Sequence, residues 1–286
     1  MTVLWGLFVT VVALATASAV IFGTADFFGG LATRRSRVLA VVVLSQLGGL
    51  ALIVALIPFL SGSPSTPALL WGAAAGVIGG AAIVLFYRAL AAGMMSVVAP
   101  TTAAASMALP VVFGLVAGDR PPVAALVGIA LGLFAVVLVS REPNGRASTF
   151  KIGPVLAALA AGAGFGAFFV LIKIAPADAG GWPLLAARTA SVTLVALVAL
   201  AARRSLRPMP GSLPVTIAAG VLDMAANVLY LLAVQRGMLS LVAVLASLYP
   251  ASTLLLARYV LGERLSPVQI TGVGFALGSI ALIAAG

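Results

Sequence analysis

Three polar side chains stand out in the apolar stretch GVLDMAANVLY, residues 220–230. Asp223, Asn227 and Tyr230 are spaced i, i+4 and i+7, so a helix puts them on one face. Pro214 opens the segment, and at 1.5 Å per residue Asp223 then lies about 13 Å along it. If the segment spans a bilayer, a charged side chain at that depth costs about 2.5–3.5 kcal/mol on the lenient insertion scale. It must therefore face a cavity or a partner. One chemistry that fits is a ligand for a polar solute group, or a carrier of protons. The other is a structural clasp to a neighbouring helix, or a static pair with Arg188.

Arg188 lies six residues into WPLLAARTASVTL, far from Arg203 on its C-terminal side. Its guanidinium suits an anionic group of a solute, or it holds Asp223. Alternatively it reaches the interface marked by Trp182 and serves as an anchor. Asp26 sits eight residues before Arg34, about 12 Å along a helix. A carboxylate inside an apolar run is what a proton-coupled carrier needs, and it is equally a group that can pair with, or cap, a neighbouring helix.

Pro100, Pro110 and Pro250 are expected to break helices and act as hinges, since an interior proline removes a backbone hydrogen bond and frees a carbonyl. Interrupted helices in corresponding positions of two halves point to a transporter's binding site, and simple packing kinks are the alternative. Thr101, Thr102, Ser106, Ser247, Tyr249 and Ser252 surround these prolines, with Ser247 and Tyr249 the foremost solute ligands among them. Gln46 is a further candidate by the same logic.

Other chemistry is excluded by what the chain lacks. It has no histidine and no cysteine, so zinc sites, thiol nucleophiles and Ser–His catalysis are out. No metal, cofactor or enzymatic activity is expected. Glycine pairs four apart, such as Gly128/Gly132 and Gly162/Gly166, read as close helix crossings. None follows a strand, so a nucleotide loop is unsupported.

These residues must be carried by elements made for lipid. Hydrophobic residues make up 63% of the 286 and charged residues 8%, and the mean hydropathy is +1.26. A soluble domain carries about a quarter charged residues. The net charge of +10 sits in short clusters between apolar runs, the pattern of cytoplasmic loops rather than of a nucleic-acid face. A spanning helix needs about 20 apolar residues. Ten segments qualify, at roughly 10–32, 38–60, 68–90, 95–117, 122–140, 152–174, 182–202, 213–233, 240–260 and 267–285. The runs are continuous rather than alternating, which favours helices over a closed barrel. The first residues resemble a signal peptide but lack its basic start, so retention is expected. Lys and Arg crowd the odd-numbered loops, which places those loops in the cytoplasm and both termini outside a plasma membrane.

The chain also resembles itself. AAIVLFYRALAAGMMSVVAP from 81 aligns with AANVLYLLAVQRGMLSLVAV from 225. At the same offset Gly118-Asp119-Arg120 meets Gly262-Glu263-Arg264, and Gly128 meets Gly272. This divides the chain into a first repeat at 1–140, a basic linker at 141–151 and a second repeat at 152–286. Each repeat holds five helices, so the second enters the membrane upside down, as in many secondary transporters. The GDR and GER segments are expected to cap helix ends.

The landmarks GMMS…GDR and GMLS…GERLSP resemble the EamA family of the drug/metabolite transporter superfamily. VIFGTADFF (20–28) stands where that family has a tryptophan–glycine motif, with Phe22 in place of tryptophan and Asp26 in place of an apolar residue. FGAFFVLIK (165–173) is its second copy. The resemblance implies an all-α membrane protein of ten helices in two inverted five-helix repeats, moving small metabolites. The expected function is secondary active transport by alternating access, of amino acids or related solutes, with export favoured and protons as a possible coupling ion. A flippase for a lipid-linked intermediate and a facilitative pore are the alternatives. Two complete halves suffice for a monomer, and a homodimer is equally open.

Overall fold

The structure is a computed structural model that describes residues 2–33, 36–92, 95–139, 152–203, 206–262 and 265–285. The expected linker at 141–151 lies outside them, as do Arg34, Gly93, Met94, Glu263 and Arg264 of the expected charge and repeat patterns.

Among the described residues every regular element is helical. An apolar chain in lipid must satisfy each backbone N–H and C=O within itself, and the helix does so segment by segment. The first half holds α1 (Thr2–Thr33), α2 (Val38–Leu56), α3 (Thr66–Ala92), α4 (Met95–Val116) and α5 (Val123–Val139). The second holds α6 (Ile152–Ile174), α7 (Trp182–Ala201), α8 (Leu213–Val234), α9 (Leu239–Ala246), α10 (Tyr249–Leu261) and α11 (Pro267–Ala285). Among the described residues, seven helical stretches are long and apolar enough to cross a membrane, with α9 and α10 together forming one of them. Thr102–Val116, Val123–Leu138 and Pro267–Ile283 are shorter apolar stretches. The protein is thus built as a multi-pass membrane protein.

The halves interleave rather than sit side by side. α1 packs along α8 and against α9 and α10, and α6 packs along α3 and α4. α2 lies on α7 and α8, α3 on α7, and α5 on α11. Glycines set the closest crossings, where no side chain holds two backbones apart. A Cβ on Gly220 would collide with the Ser45 carbonyl, and one on Gly76 with the Ala187 carbonyl. Hydroxyls supply ties between helices: Ser18 Oγ donates to the Ala226 carbonyl at 2.8 Å, and Ser279 Oγ to that of Gly128 at 2.7 Å.

The expected proline breaks are corrected in part. α4 runs unbroken through positions 100 and 110, so Pro100 and Pro110 do not interrupt it. A proline inside a membrane helix is tolerated where neighbours accommodate the freed backbone group. Here the Ser106 carbonyl, which loses its usual partner because position 110 is proline, faces the bare backbone of Gly166 on α6. By contrast α9 ends at Ala246 and α10 starts at Tyr249. Pro250 lies in the first turn of α10, where its missing N–H costs no intrahelical bond. The break falls two to three residues ahead of the proline, at Ser247 and Leu248.

Candidate functional site

A cavity of about 240 Å3 opens between the helices of the two halves. α8 brings Asp223 and Asn227 to it, α7 brings Arg188 and Ser191, and α2 brings Gln46. α1 contributes Phe22 and Asp26, and the α9–α10 break contributes Ser247 and Tyr249. Residues drawn from most of the chain's length thus meet on one wall.

At the centre is an ion pair. Arg188 donates through one terminal nitrogen to Asp223 Oδ2 at 2.5 Å and through the other to Gln46 Oε1. The Gln46 amide donates in turn to Ser191 Oγ at 2.8 Å. Asn227 Nδ2 donates to the Asp223 backbone carbonyl at 2.8 Å and lies 3.4 Å from its carboxylate. The guanidinium sits against Gly49, where a Cβ would come within 3.2 Å of its carbon. The Arg188 side chain is 11% exposed and that of Asp223 40%. The arginine is therefore held from several sides while the carboxylate still faces the open cavity. Both readings of Asp223 meet in this geometry, since the residue is paired with Arg188 and also borders the space.

Asp26 is exposed to the cavity and makes no hydrogen bond or ion pair among the described residues. It lies within electrostatic range of Asp223 and Tyr249. Ser247 follows the last residue of α9 and Tyr249 begins α10, so the broken helix brings both to the cavity.

Tyr230 is a correction. It is fully buried and does not line the cavity. Its ring packs against Phe169 at 4.5 Å, and its hydroxyl has no partner among the described residues. The i+7 position shares the face of Asp223 but lies about 10 Å further along the axis, beyond the cavity. Pro110 and Pro250 are not on the cavity wall either, and the Pro100 side chain lies outside the described residues.

Sequence reasoning missed the aromatic wall. Phe22, Phe165, Phe168 and Phe169 line the cavity together with Ser191. The ring centroids of Phe22 and Phe169 are 6.3 Å apart, and those of Phe22 and Tyr249 are 6.5 Å apart, edge to face. The signal was present in the paired FG motifs of α1 and α6. Each places a phenylalanine just ahead of a glycine that crosses a neighbouring helix: Gly23 against Tyr249 and Ser252, Gly166 against Ser106 and Leu109.

Two charged residues outside the cavity have helix-end duties. Asp119, in the GDR loop, accepts from the N–H and the hydroxyl of Ser240, both at 2.8 Å, in the first turn of α9. Lys173, near the end of α6, donates to the carbonyls of Val234 and Gly237 at the end of α8. An acid at a helix start and a base at a helix end both complement the helix dipole.

Residues 152–285 match the EamA-like transporter family. That family lies within the drug/metabolite transporter superfamily, and its members are membrane transporters of small solutes. No curated protein matches the chain by sequence. One solved structure, described simply as the crystal structure of a protein, is similar over 95% of this chain and 95% of its own, with a TM-score of 0.76 and 18% identity. At that identity the likeness speaks for the fold, and it extends across both halves of this EamA-like chain.

Proposed function

We propose that the protein is a secondary active transporter that carries small metabolites through the central cavity by alternating access. The observation that carries this reading is the cavity itself: a polar cluster of Arg188, Asp223, Gln46 and Asn227 set in an aromatic wall, at the meeting of both halves. A polar cluster in lipid needs solvent or solute to face, and sites between halves are where such carriers bind.

Two inverted five-helix repeats, with the three shorter apolar stretches as further spans, are part of the proposal. The packing supports them. Exchange α1–α5 for α6, α7, α8, α9–α10 and α11, and the neighbours exchange too. α1 on α8 becomes α6 on α3, α2 on α8 becomes α7 on α3, α1 on α10 becomes α6 on α4, and α5 on α11 maps to itself. The hydroxyl ties follow the same exchange: Thr102 Oγ1 donates from α4 to α6 at Ala158, and Thr253 Oγ1 from α10 to α1 at Gly23. Such symmetry lets the halves trade conformations and so present the cavity to either side.

An opening toward the basic odd-numbered loops is part of the proposal, and contacts at the other helix ends support it. The ends at the even-numbered loops are joined by Asp119 with Ser240 and by the close contact of Gly62 with Gly180. With the basic loops in the cytoplasm, the cavity faces the cytoplasm, as an exporter of amino acids or related solutes needs for loading. Asp26 and Asp223 are the groups available for proton coupling. The test is transport in proteoliposomes with a labelled metabolite panel, with and without a pH gradient. Carriage of a defined solute, accelerated by the gradient, is expected. Carriage that the gradient leaves unchanged, and that Asp223→Asn does not alter, would remove the proton-coupled part.

A further inference from the structure

We infer that the cavity selects organic cations, with Asp26 taking the charged group and the rings of Phe22 and Tyr249 flanking it. This rests on the solute-cavity reading above and names the solute class.

The argument starts from charge. Among the described residues the ionisable acids and bases on the wall are Asp26, Arg188 and Asp223, and two carboxyl groups beside one guanidinium leave one of them, Asp26, without a cationic partner. The guanidinium is engaged by Asp223 and Gln46, and Gln46 is fixed by Ser191. An anionic solute would have to pull Arg188 from these partners while meeting the unpaired carboxylate of Asp26. A cation meets Asp26 directly and displaces no ion pair. The lower the local dielectric, the more this difference weighs.

The rings add a second, independent preference. Phe22 precedes Asp26 by one helical turn, so both side chains rise from the same face of α1. Tyr249 comes from the start of α10 to sit edge to face with Phe22 and within electrostatic range of Asp26. Phe169 continues the wall from α6. Aromatic faces attract cations, most strongly where water is excluded, and the same rings accept the apolar body of the solute. The cavity volume of about 240 Å3 suits a body of a single ring. A solute of this shape uses the aromatic wall and the free carboxylate together, and leaves the Arg188–Asp223 pair in place as part of the wall.

The experiment uses the full chain in nanodiscs and measures binding of phenethyltrimethylammonium, which is permanently charged, against phenethyl alcohol and 3-phenylpropionate. The expected order places the ammonium about tenfold or more ahead of both. Asp26→Asn should remove that preference while Asp26→Glu keeps it, and Phe22→Leu should weaken the ammonium more than the alcohol. Folding of each variant is checked by its melting curve, and Phe22→Leu carries the test if the Asp26 variants are unstable. Equal binding of the ammonium and the alcohol would overturn the inference. So would tighter binding of the phenylpropionate, or an ammonium preference that survives both Asp26→Asn and Phe22→Leu. Failure of the transport reading looks different: the ammonium binds with the expected dependence on Asp26, yet nothing crosses the membrane in proteoliposomes.

Discussion

The residue that decides most about the cavity is Arg188, because it turns Asp223 from a lone charge in an apolar helix into half of a pair. Removing one partner strands the other. Asp223→Leu or Arg188→Leu alone should each lower stability by about 1–3 kcal/mol, since the remaining group is left partly buried without its hydrogen bonds. The double variant should recover much of that loss, because a well-packed apolar pair often replaces a buried ion pair at little cost. Chemical or thermal unfolding in detergent, arranged as a double-mutant cycle, checks this, and additive losses would mean that the pair is not coupled. Asp223 was legible in the sequence as a functional or structural outlier because its depth follows from helix rise alone. The identity of its partners was only half legible. Arg188 was visible as a second misplaced charge, but the bridge through Gln46 to Ser191 joins α2 to α7 across 145 residues, and no local pattern encodes it. Tyr230 shows the opposite failure: shared azimuth is readable from spacing, whereas depth relative to a cavity depends on where the neighbouring helices stop.

At the scale of the helices, glycine and proline divide the work. Gly220 lets α8 lie directly on the Ser45 backbone, so Gly220→Ala should force the two helices apart and cost about 1–3 kcal/mol, read as a lower melting temperature. Gly6, where an added Cβ meets nothing within 4 Å, is the control, and Gly6→Ala should leave melting unchanged. The break between α9 and α10 exposes Ser247 and Tyr249 at cavity depth. Pro250 sits where a first-turn proline is tolerated, so Pro250→Ala should leave the fold intact, and its effect should fall on turnover rather than on solute affinity in transport assays. Helix bounds were largely legible, because lipid demands long apolar runs and charges or turn residues end them. Which proline breaks its helix was not. An interior proline removes one hydrogen bond wherever it stands, and whether the helix continues depends on what the neighbouring helix offers at that point. Gly166 offers α4 a close backbone, and α4 continues.

At the scale of the whole molecule, the proposed symmetric frame carries an asymmetric site. The helix pairings exchange between halves, yet Asp223 stands where the first half has Gly79, and the unpaired Asp26 belongs to α1 alone. In the proposed mechanism, rocking this frame about an asymmetric centre changes access without requiring two copies of the site. The end of the frame at the even-numbered loops, away from the proposed mouth, is held in part by Asp119 on the start of α9. Asp119→Ala should cost about 0.5–2 kcal/mol through the lost cap and, by loosening that end, should shift the protein toward the opposite opening. A spin-label or fluorescence distance between the α4–α5 loop and the α8–α9 loop would report it as a longer mean separation. The proposed frame rests on the 144-residue offset of glycine, serine and acid–arginine landmarks, whereas the aromatic wall was hidden among other phenylalanines in apolar helices. The central claim is that solute passes through this cavity, and it is tested most directly by filling it. In proteoliposomes the wild type should carry at least one member of a metabolite panel. Ser247→Trp, on the cavity wall, should abolish that carriage, and Val116→Trp, on the exposed end of α4, should leave it intact. Carriage by Ser247→Trp at the wild-type rate, in a protein that is folded and inserted, would contradict the account.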